Sequence, residues 1–364
     1  MIVVDQPDAL MDVPVAIELR EFTPRQAVTV TATQIFPSHS RWQAHATFMT
    51  DETGAVAIAR QAPISGSYEG VAAMGLIWSA ERVSPPSPPF PDDWVLQPSF
   101  IHFEAVGPND QRAELTIARR SAGPGVTRRV IRIDGLAGIL FLPPGEGPHP
   151  SVLILHGGGG GMDEYSGAML ASRGYAAFNL AYFAEPGLPR GLVNIPLEYF
   201  EHAIRWMRAQ PWLRDGFLAA WGPSRGGELA LLLGATFPDI NAVSAWVPSG
   251  VMFWPIGLAE QGDTQPPASW TWRGKPLPIC KRTTAASNRC RRSGPDNPRH
   301  TRRSISGTFA MNAPSNAPRS RSRRFAARSC WCPARTIKCG RHRFSPTSRR
   351  AVWNRMVSNF HSGI

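Results

Sequence analysis

The run Trp221-Gly222-Pro223-Ser224-Arg225-Gly226-Gly227-Glu228 places a serine with glycines two residues before and two after it. A G-x-S-x-G run that follows an apolar segment and opens a helical one marks a very sharp strand-to-helix turn. Side chains flanking the serine would collide there, so Gly222 and Gly226 are needed and Ser224 is pushed out at the C-terminal edge of a sheet. Its hydroxyl could act as a nucleophile. The N–H groups that open the helix, Arg225 first, could then face the oxyanion formed by the attack. The alternative is a serine that only caps the helix.

A second glycine cluster suits the same chemistry. Ser151 to Leu155 is a continuous apolar run that ends in His156 and five glycines, Gly157 to Gly161. A loop after an early strand can lend a further backbone N–H to an oxyanion hole, and Gly157 and Gly158 are the candidates, since glycine lets the backbone approach a substrate oxygen. Phosphate binding is the rival reading, but the run lacks a G-K-[ST] ending and the downstream acid of a dinucleotide fold. His156 reads as a structural residue at the strand end.

A serine needs a base, and the base needs an acid to orient it, in the chain order serine, acid, histidine. Between Ser224 and Pro278 stand Glu228, Asp239, Glu260 and Asp263 but no histidine. His300, His342 and His361 follow in sequence of another character and in no strand-loop context. The acid and the base therefore stay unassigned.

The elements that must hold this site alternate in type. Tyr175 to Ala181 and Phe217 to Trp221 read as buried strands, as does Ala242 to Val247. Leu197 to Ala209 has helical spacing through Phe200, Ile204 and Met207, with Pro196 suited to its first turn, and Glu228 to Thr236 is a very apolar helix. Such alternation implies a parallel sheet covered on both faces. Upstream, from Pro14 to Arg120, short alternating segments such as Ala27 to Ala32 and Ile101 to Val106 lie between turn residues, as in an antiparallel β-sandwich. The proline-rich Ser84 to Pro91 reads as an extended loop between sandwich strands, or else as a domain boundary.

Composition breaks at Pro278. The 364 residues carry 39 Lys+Arg and 27 Asp+Glu, yet the residues from Ile279 onward hold 20 of the former and one of the latter, Asp296. The net charge is thus −7 before the break and +19 after it, and all five cysteines lie after it. Three readings compete for this tail. A like-charge block attracts phosphate, so one is a nucleic-acid or membrane-surface arm. A second is a metal site of Cys330, Cys332, Cys339 and His342, although C-x-C-x6-C-x2-H lacks the C-x2-C knuckle of structural zinc sites, and no metal is expected. The third is translation in a shifted frame. Joining the third base of each codon to the first two of the next, Arg319 to His342 permits IPVEAIRGPVLLVSGTDDKMWPS. The LV encoded across Cys330, Trp331 and Cys332 is forced whichever codons are used; the other letters are permitted choices. That string contains a buried parallel strand and a loop with two aspartates, and a frame change near Pro278 is the expectation.

No apolar stretch reaches the ~18 residues of a membrane span, and Met1 to Val15 carry acids but no Lys or Arg, unlike a secretory signal. A soluble, cytoplasmic protein is expected.

The segments SGSYEGVAAMGLIWSA (Ser65 to Ala80), LHGGGGG and GPSRGGELALLLGATFP (Gly222 to Pro238) resemble the acyl-CoA thioesterase and bile acid-CoA:amino acid N-acyltransferase family over about Pro14 to Pro278. The resemblance implies an α/β protein: a β-sandwich over residues 14–120 and an α/β-hydrolase domain with a mostly parallel sheet over 123–278, left incomplete by the tail over 279–364 that the charge break and the shifted codons mark as out of frame. It also implies attack of Ser224 on an acyl-CoA thioester, with no cofactor beyond the substrate's own CoA and no specific nucleic-acid partner. Serine is commoner among the thioesterases and cysteine occurs in the amino acid acyltransferases, which tilts the expectation toward hydrolysis. The family's acid would fall in the shifted GTDDKMWPS, so the triad is incomplete in this chain. Amine acylation, or non-catalytic binding of an acyl ligand or nucleic acid, are the alternatives.

Overall fold

The computed structural model describes residues 1–84, 90–257 and 267–279. The chain divides into two units, Met1–Cys280 and Lys281–Ile364. Everything described lies in the first. The cysteines, the candidate metal ligands, His300, His342, His361 and the shifted-frame segment lie outside the described residues, as does the centre of the proline-rich loop.

The N-terminal part is built from two sheets. One joins β1 (Ile2–Val4), β3 (Ile17–Leu19) and β6 (Val56–Ala57). The other runs in the order β2 (Asp8–Leu10), β10 (Arg112–Arg120), β9 (Ser99–Val106), β4 (Ala27–Ile35), β5 (Arg41–Met49) and β7 (Ser65–Gly66), with β8 (Glu81–Arg82) also on β5. Alternation decides which side faces inward: Val28, Val30 and Ala32 are fully buried while Thr29, Thr31 and Thr33 between them are half-buried. They share one core with Ile17, Leu19 and Val56 of the smaller sheet, the arrangement of a sandwich. The short helix α1 (Gly75–Trp78) packs on that core through Leu76. Placing the start of this sandwich at Pro14 is corrected: β1 pairs with β3 and β2 pairs in parallel with β10, so residues from Ile2 onward belong to it. Three-residue strands are too short to show a period.

Downstream of the sandwich come β11 (Thr127–Ile133), β12 (Leu136–Leu142), β13 (His149–Leu155), α2 (Glu164–Ala171), β14 (Ala176–Ala181), β15 (Ile195–Pro196), α3 (Leu197–Arg208), β16 (Leu213–Pro223), α4 (Arg225–Thr236), β17 (Ala242–Trp246), β18 (Trp270–Trp272) and β19 (Lys275–Pro276). Six of them form a sheet in the order β11-β12-β14-β13-β16-β17, parallel from β14 to β17 and opened by an antiparallel hairpin. This is an α/β fold of hydrolase type, and among the described residues β17 is its last strand. The hairpin departs from the expected strand-helix rhythm. Its two-residue turn, Asp134-Gly135, has positive φ at both positions, as the twist of a tight hairpin requires.

The helix expected over Leu197 to Ala209 forms over Leu197–Arg208 and buries Phe200, Ile204 and Met207. Pro196 stands just outside it, with extended φ −74 and ψ 134, and not in its first turn. Trp270, which would lie on an uncovered face if the sheet simply ended, is 1% exposed. The rings of Tyr182 and Phe200 pack against it, with centroids 5.9 and 6.0 Å away.

Candidate active site

The strand β16 runs to Pro223, which still pairs with Trp246, and α4 begins two residues later at Arg225. Ser224 makes the whole turn, at φ 54 and ψ −117. A positive φ is costly for a residue with a Cβ and is held only where the surroundings enforce it. The enforcement is visible. The Ser224 N–H donates to the Trp246 carbonyl at 2.8 Å, and the Ser224 carbonyl accepts from Glu228 N–H at 3.0 Å. The crowding is backbone against backbone. A Cβ on Gly226 would lie 2.3 Å from the Leu155 carbonyl oxygen and 2.6 Å from that of His156, and one on Gly222 would lie 2.6 Å from the Gly226 carbonyl. Gly227, not singled out in the sequence, is nearly as tight, 2.9 Å from the Gly222 oxygen.

The Ser224 side chain makes no capping bond to the helix it precedes, and the residue is exposed. A capping serine would sit in the extended region and accept from the first turn. Arg225, first residue of α4, has an N–H with no intrahelical acceptor to satisfy it.

The glycine loop lies against this turn. A Cβ on Gly157 would stand 3.9 Å from Ser224 Cβ and 3.6 Å from the Pro223 oxygen, and one on Gly158 would stand 3.1 Å from Arg225 Cγ and 2.8 Å from Ile256 Cδ1. Gly157, Gly158, Ser224, Arg225, Gly222 and Gly226 are thus brought to one place.

His156 is turned into the core. It is 4% exposed and stacks on Tyr182, and the Tyr182 hydroxyl donates to its carbonyl at 2.5 Å. Burial pulls its imidazole down to about 4, so it is neutral near pH 7. Its Nδ1–H donates to the Gly157 carbonyl at 2.9 Å, while Nε2 is buried with no partner among the described residues.

What sequence reasoning missed is the ionic cluster behind the turn. Glu228, 3% exposed, accepts from Arg225 Nη1 at 2.6 Å, from Trp270 Nε1 at 3.1 Å and from Phe253 N–H at 3.4 Å. Arg225 Nη2 donates to Ser269 Oγ and, at 3.4 Å, to the carbonyls of Phe253 and Trp254. Burial raises the Glu228 carboxyl above its ordinary value, against the pull of Trp270 and Arg225. A lone carboxylate in an otherwise apolar helix was the available signal, because such a group is almost never buried unpaired. No group of three or more His, Cys, Asp or Glu side chains among the described residues could hold a metal ion.

Residues 12–133 match the family model described as the acyl-CoA thioester hydrolase/BAAT N-terminal region, and residues 195–269 match the one for the C-terminal region of the same proteins. The chain belongs to the acyl-CoA thioester hydrolase/BAAT family. Ser224 and Arg225 fall inside the second match of this family and the glycine loop falls between the two. Among its relatives is mitochondrial acyl-coenzyme A thioesterase 2 of Rattus norvegicus, 34% identical over 236 residues, covering 64% of this chain and 52% of the relative. Acyl-coenzyme A thioesterase 1 of Homo sapiens is 33% identical over 262 residues, covering 70% and 62% respectively. The chain therefore spans between about half and three fifths of these curated relatives. A solved 2,6-dihydroxy-pseudo-oxynicotine hydrolase aligns at 25% identity over 36% of this chain and 38% of its own, with a TM-score of 0.28. No helix among the described residues is long and apolar enough to cross a membrane.

Proposed function

We propose that the chain is an acyl-CoA thioester hydrolase working through a serine acyl-enzyme, impaired in the form written here. The observation that carries this reading is Ser224 itself: an exposed, uncapping serine held at φ 54 beside a glycine loop. Ser224 Oγ would attack the thioester carbonyl and the C–S bond would break, releasing CoA. Water would then cleave the acyl-serine. The Arg225 N–H and an N–H of Gly157 or Gly158 would bind the oxygen that becomes negative in both steps. The relatives' names support an acyl-CoA substrate. Serine in place of cysteine supports water over an amine as acceptor, and CoA enters only as part of the substrate. A cytoplasmic setting belongs to the same reading.

The base and its acid are the missing half. Ser224 has no histidine or carboxylate bonded to its hydroxyl among the described residues, and a serine without them loses most of its rate advantage. The charge reversal at Pro278 supports a frame change that replaces the segment meant to supply both. The test compares the chain as written with one in which a single-base correction near codon 278 restores the other frame. We expect palmitoyl-CoA hydrolysis by the corrected chain, lost in Ser224→Ala, and at least about a thousandfold less by the uncorrected one. Robust turnover by the uncorrected chain that requires Ser224 would overturn the frame reading. Ligand binding without turnover by the corrected chain would favour a non-catalytic acyl carrier.

A further inference from the structure

Arg225 does three things at once. Its N–H is the first of α4, beside Ser224. Its stem lies under the glycine loop, with Cγ 3.1 Å from the place a Gly158 Cβ would take. Its guanidinium is held away from solvent by Glu228, by Ser269 Oγ and by the carbonyls of Phe253 and Trp254. One side chain therefore sets the gap between the two groups of N–H donors, and whatever fixes that side chain fixes the gap.

Glu228 is what fixes it. Arg225 and Glu228 lie three residues apart on the first turn of α4, where neighbours meet. Both Glu228 oxygens are engaged, Oε1 by Trp270 and Oε2 by Arg225 and Phe253 N–H, so the carboxylate cannot swing. The same bonds draw the 253–254 and 269–270 segments onto the helix. The 253–254 segment continues to Ile256, which borders Gly158 and is bridged to Leu192 by hydrogen bonds of 2.8 and 3.1 Å. A buried carboxylate so near a developing oxyanion would oppose it, and the paired guanidinium cancels that charge.

We propose that Glu228 is a positioning residue for the oxyanion hole, acting through Arg225 and the Gly158 loop without touching substrate. This rests on the reading of Ser224 as nucleophile, and the test separates the two. The full chain, Glu228→Gln, Arg225→Lys and Ser224→Ala are compared in two measurements, each below the melting temperature of the variant. The first is covalent labelling by an alkyl fluorophosphonate: a Ser Oγ–P bond forms, the P–F bond breaks, fluoride leaves and the hydroxyl proton passes to water. Negative charge builds on the phosphoryl oxygen, so the saturating rate reads the donors. We expect Glu228→Gln and Arg225→Lys to lower that rate by about tenfold to a hundredfold, with the half-saturating concentration within about twofold of the parent.

The second measurement is amide hydrogen exchange, which needs no chemistry at Ser224. In Glu228→Gln the 156–161 loop should exchange at least about tenfold faster, while β4 and β5 keep their protection. A saturating rate within about twofold of the parent, or faster exchange confined to 252–254 and 268–272, would overturn the proposal. If Ser224→Ala is labelled as fast as the parent, the nucleophile reading falls, and exchange of the 156–161 loop alone then decides the role of Glu228; it decides alone as well if the incomplete triad leaves the parent unlabelled.

Discussion

His156 and Tyr182 lie face to face, ring centroids 3.9 Å apart and planes inclined by 8°. An imidazole enclosed in this way cannot take a proton without losing its packing. The unfolded chain protonates His156 near its ordinary 6.5 and the folded chain only at about 4, so between those values the unfolded state binds more protons. The contribution is complete above about pH 6.5 and is lost as the pH falls toward 4, by about 3 kcal/mol in all. Glu228 acts in the opposite sense, because burial raises its carboxyl. His156→Phe isolates the effect. Its denaturation midpoint should vary less between pH 7 and 4.5 than the parent's, and parallel curves would refute the assignment.

The two classes of glycine around Ser224 should separate cleanly. Gly226→Ala drives a methyl to 2.3 Å from a backbone oxygen that cannot move aside, and we expect a loss of roughly 1–3 kcal/mol or more in chemical denaturation. Gly157→Ala meets nothing nearer than 3.6 Å. It should melt with the parent while slowing fluorophosphonate labelling of Ser224, because its methyl would stand at the reacting face. Equal melting of the two variants would contradict the elbow geometry.

In the sandwich, a Cβ on Gly75 would lie 2.3 Å from Cζ of Tyr68. Gly75→Ala alone should cost roughly 1–3 kcal/mol. Combined with Tyr68→Leu, which removes the obstructing ring, the cost of the alanine should largely vanish. Additive losses in denaturant titrations would show that something other than this contact sets the glycine.

The first dozen residues should matter more than their length suggests. Ile2 is buried against β3, and Arg119, 3% exposed, donates to the carbonyls of Met11 and Val13. A fragment of residues 1–121 should unfold cooperatively, and one of 14–120 should be weaker by about 2 kcal/mol or more. Matching midpoints for the two fragments would mean that β1 and β2 contribute nothing.

The elbow was legible because its cause is local: glycines at fixed offsets answer collisions within a single turn. The fold class was legible for a related reason, as apolar runs such as that of β13 alternate with helical spacing. The β11–β12 hairpin escaped because all seven residues of β12 are buried, which removes the alternation that marks an antiparallel strand, and only Asp134-Gly135 signalled it. The Glu228 cluster escaped because its partner Trp270 lies 42 residues away. Nothing in the spacing of an acid and a tryptophan announces a hydrogen bond.

The parallel pairing of β2 with β10, Asp8 against Ala118, also sets an order in time. Residues 8–10 wait for residues 118–120, so the sandwich closes only when residue 120 has emerged from the ribosome. Roughly 160 codons separate residue 120 from Pro278, some 8–30 s of synthesis at typical rates, most of which follows the emergence of residue 120. Small domains fold well within such an interval. A frame change at Pro278 would therefore reach a sandwich already complete, and proteolysis of the finished chain in cells should leave that domain as the surviving fragment.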